Sequence, residues 1–362
     1  MRIQIFSSDL RMGGAERAAV NLADLWTRAG HAVTLSLLGG PERPRHQTPA
    51  PEVEMEFLDI FHQPRGPWDR LRRMAARHRR IRGSVRQHAP DVVVSVLDLT
   101  NVRVLLATLG LGVPVIACEH TDPAIHDIGS FWSWLRRRTY PRAAALTVLN
   151  EPMAAFFGRM IPPGRIVTIP NPIDFPDAPS QRERYREILY LGRFSSEKRI
   201  PLLLESFART RRPEWGLTLV GDGPEREPLV ALAARLGIAE HVHFPGMVRD
   251  PFPSYCRADV FVLPSLYEGL PTALAEAMGM GLACVATATN GAAALIESGV
   301  NGLLVNVDAP TKELDDALAA LMDDPDLRER LGSRAMRVRG LFGSGAVMSR
   351  WDRLFRSLGD GG

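Results

Sequence analysis

Short, almost wholly apolar runs alternate with amphipathic segments along this 362-residue chain, and that alternation limits the folds open to it. Runs such as 92–96 and 113–117 suit strands buried on both faces, as in a parallel sheet whose helices cover it. The reading places strands at 3–6, 32–38, 92–96, 113–117, 146–149 and 166–169, with a helix over 16–29. The pattern breaks over 170–187, where Pro170-Asn171-Pro172-Ile173-Asp174 and Pro176-Asp177-Ala178-Pro179 favour turns over helix. It then restarts, with strands at 188–192, 217–221, 242–244, 260–264 and 284–287 and helices at 201–209, 227–236 and 272–278. Two doubly wound α/β halves are expected: an amino-terminal Rossmann-like domain over 1–175 and a second over 176–340. Residues 341–362 form a helical segment expected to cross back to the first domain. Ligands in such sheets bind beyond the carboxyl ends of the strands, which should face a cleft between the halves.

Charge narrows the function. The net charge is only +3, too little to argue for nucleic acid, but residues 1–180 hold 22 Lys+Arg against 17 Asp+Glu, while 181–362 hold 22 against 24. Cys118, Cys256 and Cys284 lack metal-ligand spacing and lie in apolar runs, so buried free thiols in a reducing compartment are expected. No apolar run approaches the roughly 20 residues needed to span a bilayer, and residues 1–6 read as a strand rather than a leader. A cytoplasmic location is expected.

Several strand-end motifs carry chemistry. Glu268-Gly269-Leu270-Pro271-Thr272 opens a helix that continues to Glu276. A proline in the first turn suits a helix start, and the amide of Thr272 would point out of a positive helix end able to hold a phosphate. Thr272 and Glu276 share one face, and carboxylates suit pairs of sugar hydroxyls. Read alone, the same spacing also suits a solvated helix residue and a loop charge. Gly192-Arg193-Phe194-Ser195-Ser196-Glu197-Lys198 follows a strand, with a guanidinium fork and a compact ammonium suited to a diphosphate. The chain contains only two lysines, Lys198 and Lys312, against 42 arginines, which singles Lys198 out. A solvated charged loop is the competing reading. Gly13 and Gly14, after the first strand, and Gly221, in Gly221-Asp222-Gly223-Pro224, would let backbone approach a ligand, or simply make tight turns. Glu119-His120-Thr121 ends another strand; a lone histidine is as readily structural.

Taken together, these residues resemble the retaining glycosyltransferases of family 4, which have the GT-B fold. The resemblance runs in order through Gly13-Gly14-Ala15-Glu16-Arg17, Asn171-Pro172-Ile173-Asp174, Gly192-Arg193 with Lys198, and Gly221-Asp222-Gly223. Phe244-Pro245-Gly246, Ala258-Asp259-Val260, the Glu268 and Glu276 pair, and Asn301-Gly302-Leu303-Leu304-Val305 complete it. It implies catalytic roles for His120, Arg193, Lys198 and Glu268, and donor binding by Gly13, Gly14, Gly192, Gly221, Leu270, Thr272 and Glu276. Glu268 would hold donor-sugar hydroxyls and Glu276 the ribose. Arg193 and Lys198 would neutralise the diphosphate, with Gly14 and Thr272 offering amides, and His120 would lie near the reacting centre. No metal and no cofactor are implied. Two positions depart from the family pattern, Ala283 where proline is usual and Ala294 where an acidic residue is common, and the second touches the loop beside the donor site.

The expected reaction moves a sugar from a nucleotide-diphosphate sugar, a UDP-N-acetylhexosamine by preference and GDP-mannose as an alternative, to a glycan acceptor that is lipid-linked. Residues 61–90 carry nine arginines and one acid, Asp69, and a helix is expected over 69–87 with Leu71, Met74, Ile81 and Val85 apolar. Phe131-Trp132-Ser133-Trp134-Leu135-Arg136-Arg137-Arg138 adds aromatics beside arginines. Such a surface can dock on an anionic membrane, or be a solvated outer helix. A sugar-nucleotide epimerase or hydrolase, or a non-catalytic sugar-nucleotide-binding protein, would share the fold.

Overall fold

The computed structural model describes residues 1–10, 13–43, 47–61, 67–121, 123, 126–177 and 185–359, the side chains of 67–71 excepted. Met12 of the first glycine motif, residues 62–66 of the basic segment with the side chains of Asp69 and Leu71, Ala178 and Pro179 of the turn-rich stretch, and residues 360–362 lie outside that description. The chain forms two compact units, Met1–Pro172 with Val347–Gly362, and Ile173–Ala346.

The first unit holds strands β1 (Arg2–Ser7), β2 (Ala32–Leu37), β3 (Glu54–Phe57), β4 (Val92–Val96), β5 (Val115–Cys118), β6 (Ala145–Val148) and β7 (Ile166–Thr168). They pair in parallel in the order β3-β2-β1-β4-β5-β6-β7. All five residues of β4 are buried, as a strand covered on both faces requires. Helices α1 (Gly14–Arg28), α2 (Pro67–His88), α3 (Asp98–Ala107), α4 (Ser130–Thr139) and α5 (Glu151–Phe157) connect the strands.

The second unit holds β8 (Glu187–Leu191), β9 (Gly216–Val220), β10 (Val242–Gly246), β11 (Val260–Leu263), β12 (Ala283–Thr287) and β13 (Leu303–Val305), parallel in the order β10-β9-β8-β11-β12-β13. Its helices are α6 (Ile200–Thr210), α7 (Arg226–Arg235), α8 (Phe252–Cys256), α9 (Thr272–Gly279), α10 (Asn290–Ala293), α11 (Pro310–Asp323), α12 (Pro325–Ala335) and α13 (Arg339–Phe342). Helix α14 (Ser344–Gly359) begins in this unit and ends in the first, where Trp351 meets Trp26 edge to face at 5.1 Å and Phe355 lies 5.4 Å from the same indole. Both sheets are doubly wound, each with its own apolar core.

The sequence reading passed over β3, where Met55 and Phe57 alternate with Glu54 and Glu56 at the sheet's edge. It also passed over the short elements α3, α4, α5, α8, α10 and β13, and the longer helices α11 and α12. Cys118 and Cys284 are buried and in no disulfide, and burial pushes the Cys118 thiol up to about 12; Cys256 is likewise in no disulfide but only partly buried, a correction to the expectation for that residue.

Candidate functional site

In the second sheet, strand order reverses between β8 and β11, the place where open α/β sheets receive ligands. The loops leaving these two strands carry the strongest motifs and are joined to each other. The amide of Leu266 donates to the Glu197 carbonyl at 2.8 Å. The Lys198 ammonium donates to Glu268 Oε1 at 2.6 Å, and the Ser265 hydroxyl donates to the same oxygen at 2.8 Å. Side-chain exposure is only 20% for Lys198 and 13% for Glu268, so water screens this pair less than a surface ion pair.

The sequence reading gave Lys198 and Glu268 separate tasks; the structure couples them. An ammonium has three N–H donors, so Lys198 can hold Glu268 and still reach an anion. Arg193, on the same loop, is exposed. Burial opposes ionisation of Glu197, yet the Ser195 hydroxyl, its own amide, Lys198 and Arg193 hold its carboxyl below the usual range.

The glycines act mainly on the protein's own backbone. The amide of Gly192 donates to Val220 O at 3.0 Å and that of Phe194 to Asp222 O at 2.9 Å, laying the β8 loop on the β9 loop. A methyl on Gly221, at φ 142°, would sit 1.9 Å from the Gly192 carbonyl oxygen. Close approach is therefore required there, but by the neighbouring loop. A methyl on Gly192 would meet the Tyr190 hydroxyl at 2.8 Å, and that hydroxyl donates to the Arg193 carbonyl at 3.0 Å.

Helix α9 opens directly after Glu268. Its first bond of this turn runs from Ala275 N to Pro271 O at 3.1 Å, so the amides of Thr272, Ala273 and Leu274 form its positive end. Leu270 packs on the core and Thr272 is half-buried. Glu276 is 1% exposed, and its Oε2 accepts from the Tyr255 hydroxyl at 2.8 Å, so it is not a solvated helix residue. A carboxyl buried this deeply is costly unless it is hydrogen-bonded, and the Tyr255 hydroxyl supplies such a bond. The loop containing Ala294 is short helix α10, capped by Thr289; Gly291 N donates to Glu268 O at 3.2 Å, which backs the Glu268 loop.

The remaining predicted residues lie in the first unit. Gly13 caps α1 in an extended conformation open to any residue, and a methyl on Gly14 would meet nothing within 4 Å. Glu16 folds its carboxylate over Gly13 and so partly answers the helix's positive end itself. His120 follows β5; its Nδ1 is buried without a hydrogen bond among the described residues, and burial lowers its pKa to about 4. Its chain neighbour Glu119 is 2% exposed, and burial raises its carboxyl to about 8. Sequence reading missed Tyr255 and Tyr140, which lie far along the chain from the carboxylates they serve; Ser265, three residues before Glu268 at the end of β11, was open to it.

Several cations of the basic segments also hold the protein's own structure. Arg77 donates to Ile60 O, Arg80 to Leu58 O and Asp59 O, and Arg82 to Ala107 O and Leu109 O, so these three tie α2 to neighbouring carbonyls. Arg136 is buried, its guanidinium over Phe157 at 5.6 Å. Phe131 and Trp134 remain exposed at 56% and 52%. Asp324-Pro325-Asp326 has an Asp-x-Asp spacing, but Asp324 Oδ1 caps α12 by accepting from Leu327 N at 2.9 Å.

Residues 174–338 match the family described as Glycosyl transferases group 1, and residues 12–175 match Glycosyltransferase Family 4. Among curated relatives, the chain is 28% identical, over 99% of each chain, to the GalNAc-alpha-(1->4)-GalNAc-alpha-(1->3)-diNAcBac-PP-undecaprenol alpha-1,4-N-acetyl-D-galactosaminyltransferase of Campylobacter jejuni. It is 33% identical to the alpha-D-kanosaminyltransferase of Streptomyces kanamyceticus over 62% of this chain and 65% of that one. Among solved structures, sucrose-phosphate synthase of Thermosynechococcus elongatus superposes with a TM-score of 0.83 at 20% identity, covering 100% of both chains. HepE of Anabaena, in complex with UDP and glucose, superposes at 0.79 with 19% identity over 99% of this chain and 100% of that one.

Proposed function

This chain belongs to the family 4 glycosyltransferases of GT-B fold, and on that premise we propose that it is a retaining, metal-independent transferase that moves an N-acetylhexosamine from a UDP-sugar to a lipid-linked glycan. One observation carries the reading: Lys198, Arg193 and the opening of α9 lie on the two loops that leave the sheet where its strand order reverses. Breaking the sugar–phosphate bond builds negative charge on the departing diphosphate. A guanidinium, an ammonium and three helix-end amides are the fixed positive groups that such charge requires.

Glu268 is unsuited to act as a nucleophile on the sugar, because Lys198 and Ser265 both hold its Oε1. It is better used on donor hydroxyls through Oε2. The acceptor then attacks from the face the diphosphate leaves, and the leaving phosphate helps to take its proton. Glu276, buried below the start of α9, is assigned to the ribose. The choice of N-acetylhexosamine and of a lipid-linked acceptor is supported by the name of the Campylobacter relative, and UDP by the ligand of HepE.

No helix among the described residues is long and apolar enough to cross a membrane. We place the enzyme at the cytoplasmic face of the plasma membrane, docked by Phe131 and Trp134 with Arg137 and Arg138 beside them on α4. Co-sedimentation with vesicles rich in anionic lipid at low salt should succeed; failure to pellet removes the docking. A thermal-shift screen with UDP-, GDP- and ADP-sugars tests the donor: a rise in melting temperature with UDP-N-acetylhexosamines is expected, and a rise confined to GDP- or ADP-sugars overturns that choice.

A further inference from the structure

A string of buried polar side chains that the proposed reaction does not use meets the chain at Cys118 and Glu119, just before His120. Ser95 Oγ donates to Asn101 Oδ1 at 2.7 Å. Asn101 Nδ2 donates to the Cys118 carbonyl at 2.9 Å and to the Tyr140 hydroxyl at 3.2 Å. Tyr140 in turn donates to Glu119 Oε1. Ser95, Asn101 and Tyr140 are no more than 0% exposed and Glu119 is 2% exposed. The bonds from Asn101 to Tyr140 and from Tyr140 onward run to Glu119, so this branch of the string ends on that carboxyl.

The string grips the backbone at the end of β5 from both sides. The Cys118 carbonyl accepts from Asn101 and also from Leu97 N at 3.1 Å, while Glu119 N donates to Thr147 O at 2.9 Å. Leu97 is itself held at φ 77°, a left-handed conformation that costs a leucine energy and persists only where surroundings impose it. The next residue is His120, whose ring has a buried Nδ1 with no partner among the described residues. With Nδ1 unbonded among the described residues, the ring takes its direction from the backbone that carries it and from the groups packed around it.

We propose that Glu119 is the positioning residue for His120: bonded by Tyr140, it locks the end of β5 and thereby the direction in which the imidazole points. Its place in the reaction rests on the proposed role of His120 at the reacting centre, whereas the positioning itself does not. The groups facing Glu119 are Asp98 and Asn101 from α3, Arg136 and Tyr140 from α4 and the turn after it, and Cys118 and Thr147 from β5 and β6.

Nuclear magnetic resonance of the full chain with ring-labelled histidine reads the positioning, with His120→Ala identifying the resonance. The wild type should show one sharp His120 signal that stays neutral to about pH 5, and Glu119→Gln, which still accepts from Tyr140, should preserve it. Glu119→Ala should broaden or split the signal and move its titration up by at least about one unit. Tyr140→Phe, which keeps the ring's packing, should do the same to a smaller degree, and it serves if Glu119→Ala fails to fold. An unchanged signal in both Glu119→Ala and Tyr140→Phe overturns the proposal.

In turnover, Glu119→Ala should lower kcat by about 100-fold with donor KM little altered, as misplacement of a reacting group does. It should cost nothing further in a His120→Ala background; additive losses also overturn the proposal. Full activity in His120→Ala alone, with the spectra as expected, would sink the role of His120 but not its positioning by Glu119.

Discussion

The two sheets reach order at their strand ends by opposite means. In the second unit the loops after β8, β9 and β11 lie backbone on backbone, with Gly221 giving way to the Gly192 carbonyl and Gly291 to that of Glu268. In the first unit, the turn into α1 has room above Gly14, and the end of β5 is set by a buried string of side chains that ends on a titratable carboxyl. The comparison teaches that the first kind of strand end is broken by an added methyl group, whereas in the first unit Gly14 has room for one and the end of β5 answers to protons.

The contrast can be broken most forcefully at Gly221. Gly221→Ala should destabilise the protein by about 3 kcal/mol or more, because an alanine is strained at that φ and its methyl meets a carbonyl that the β8 loop cannot withdraw. Chemical denaturation measures it. A loss below about 1 kcal/mol would mean that the loops are not fixed by this contact.

The pH arm sharpens it next. Folding lifts the Glu119 carboxyl from 4.5 to about 8 through burial, so between those values the folded chain keeps a proton that the unfolded chain has released. Stability therefore falls as pH rises through that window and levels off above it. His120 works the other way: burial takes it from 6.5 to about 4, so its contribution is present above pH 6.5 and is lost as pH falls towards 4. From pH 6 to 8, denaturation of the wild type should lose on the order of 2 kcal/mol that Glu119→Gln retains. Parallel curves for the two proteins would contradict the buried, protonated carboxyl.

The smallest effect belongs to Gly14→Ala, which should change stability by less than about 0.5 kcal/mol, since nothing lies within 4 Å of the added methyl. A loss as large as that of Gly221→Ala would erase the difference between the two turns.

Much of this was legible in the sequence because parallel strands buried on both faces leave continuous apolar runs, as 92–96 and 260–263 do. Motifs at strand ends were legible for the same reason: once β8 and β11 are placed, Lys198 and Glu268 must lie on the loops that leave them. Their mutual bond was not, because nothing in a separation of 70 residues indicates which side chains meet. Tyr255 beneath Glu276 and Tyr140 beneath Glu119 were hidden likewise, each 21 residues from its carboxyl. Arg77, Arg80 and Arg82 have contacts a count of cations does not show: each donates to the protein's own carbonyls. Composition counts cations without saying what they hold.

The central claim is that Arg193, Lys198 and the start of α9 form a diphosphate seat. Calorimetric titration of the wild type and of the Arg193→Ala/Lys198→Ala double variant with UDP and with uridine tests it most directly. The account predicts that UDP affinity falls at least about 100-fold in the variant, as loss of two charge-assisted contacts implies, while uridine binds both proteins alike. Equal UDP affinity in the two proteins would contradict it.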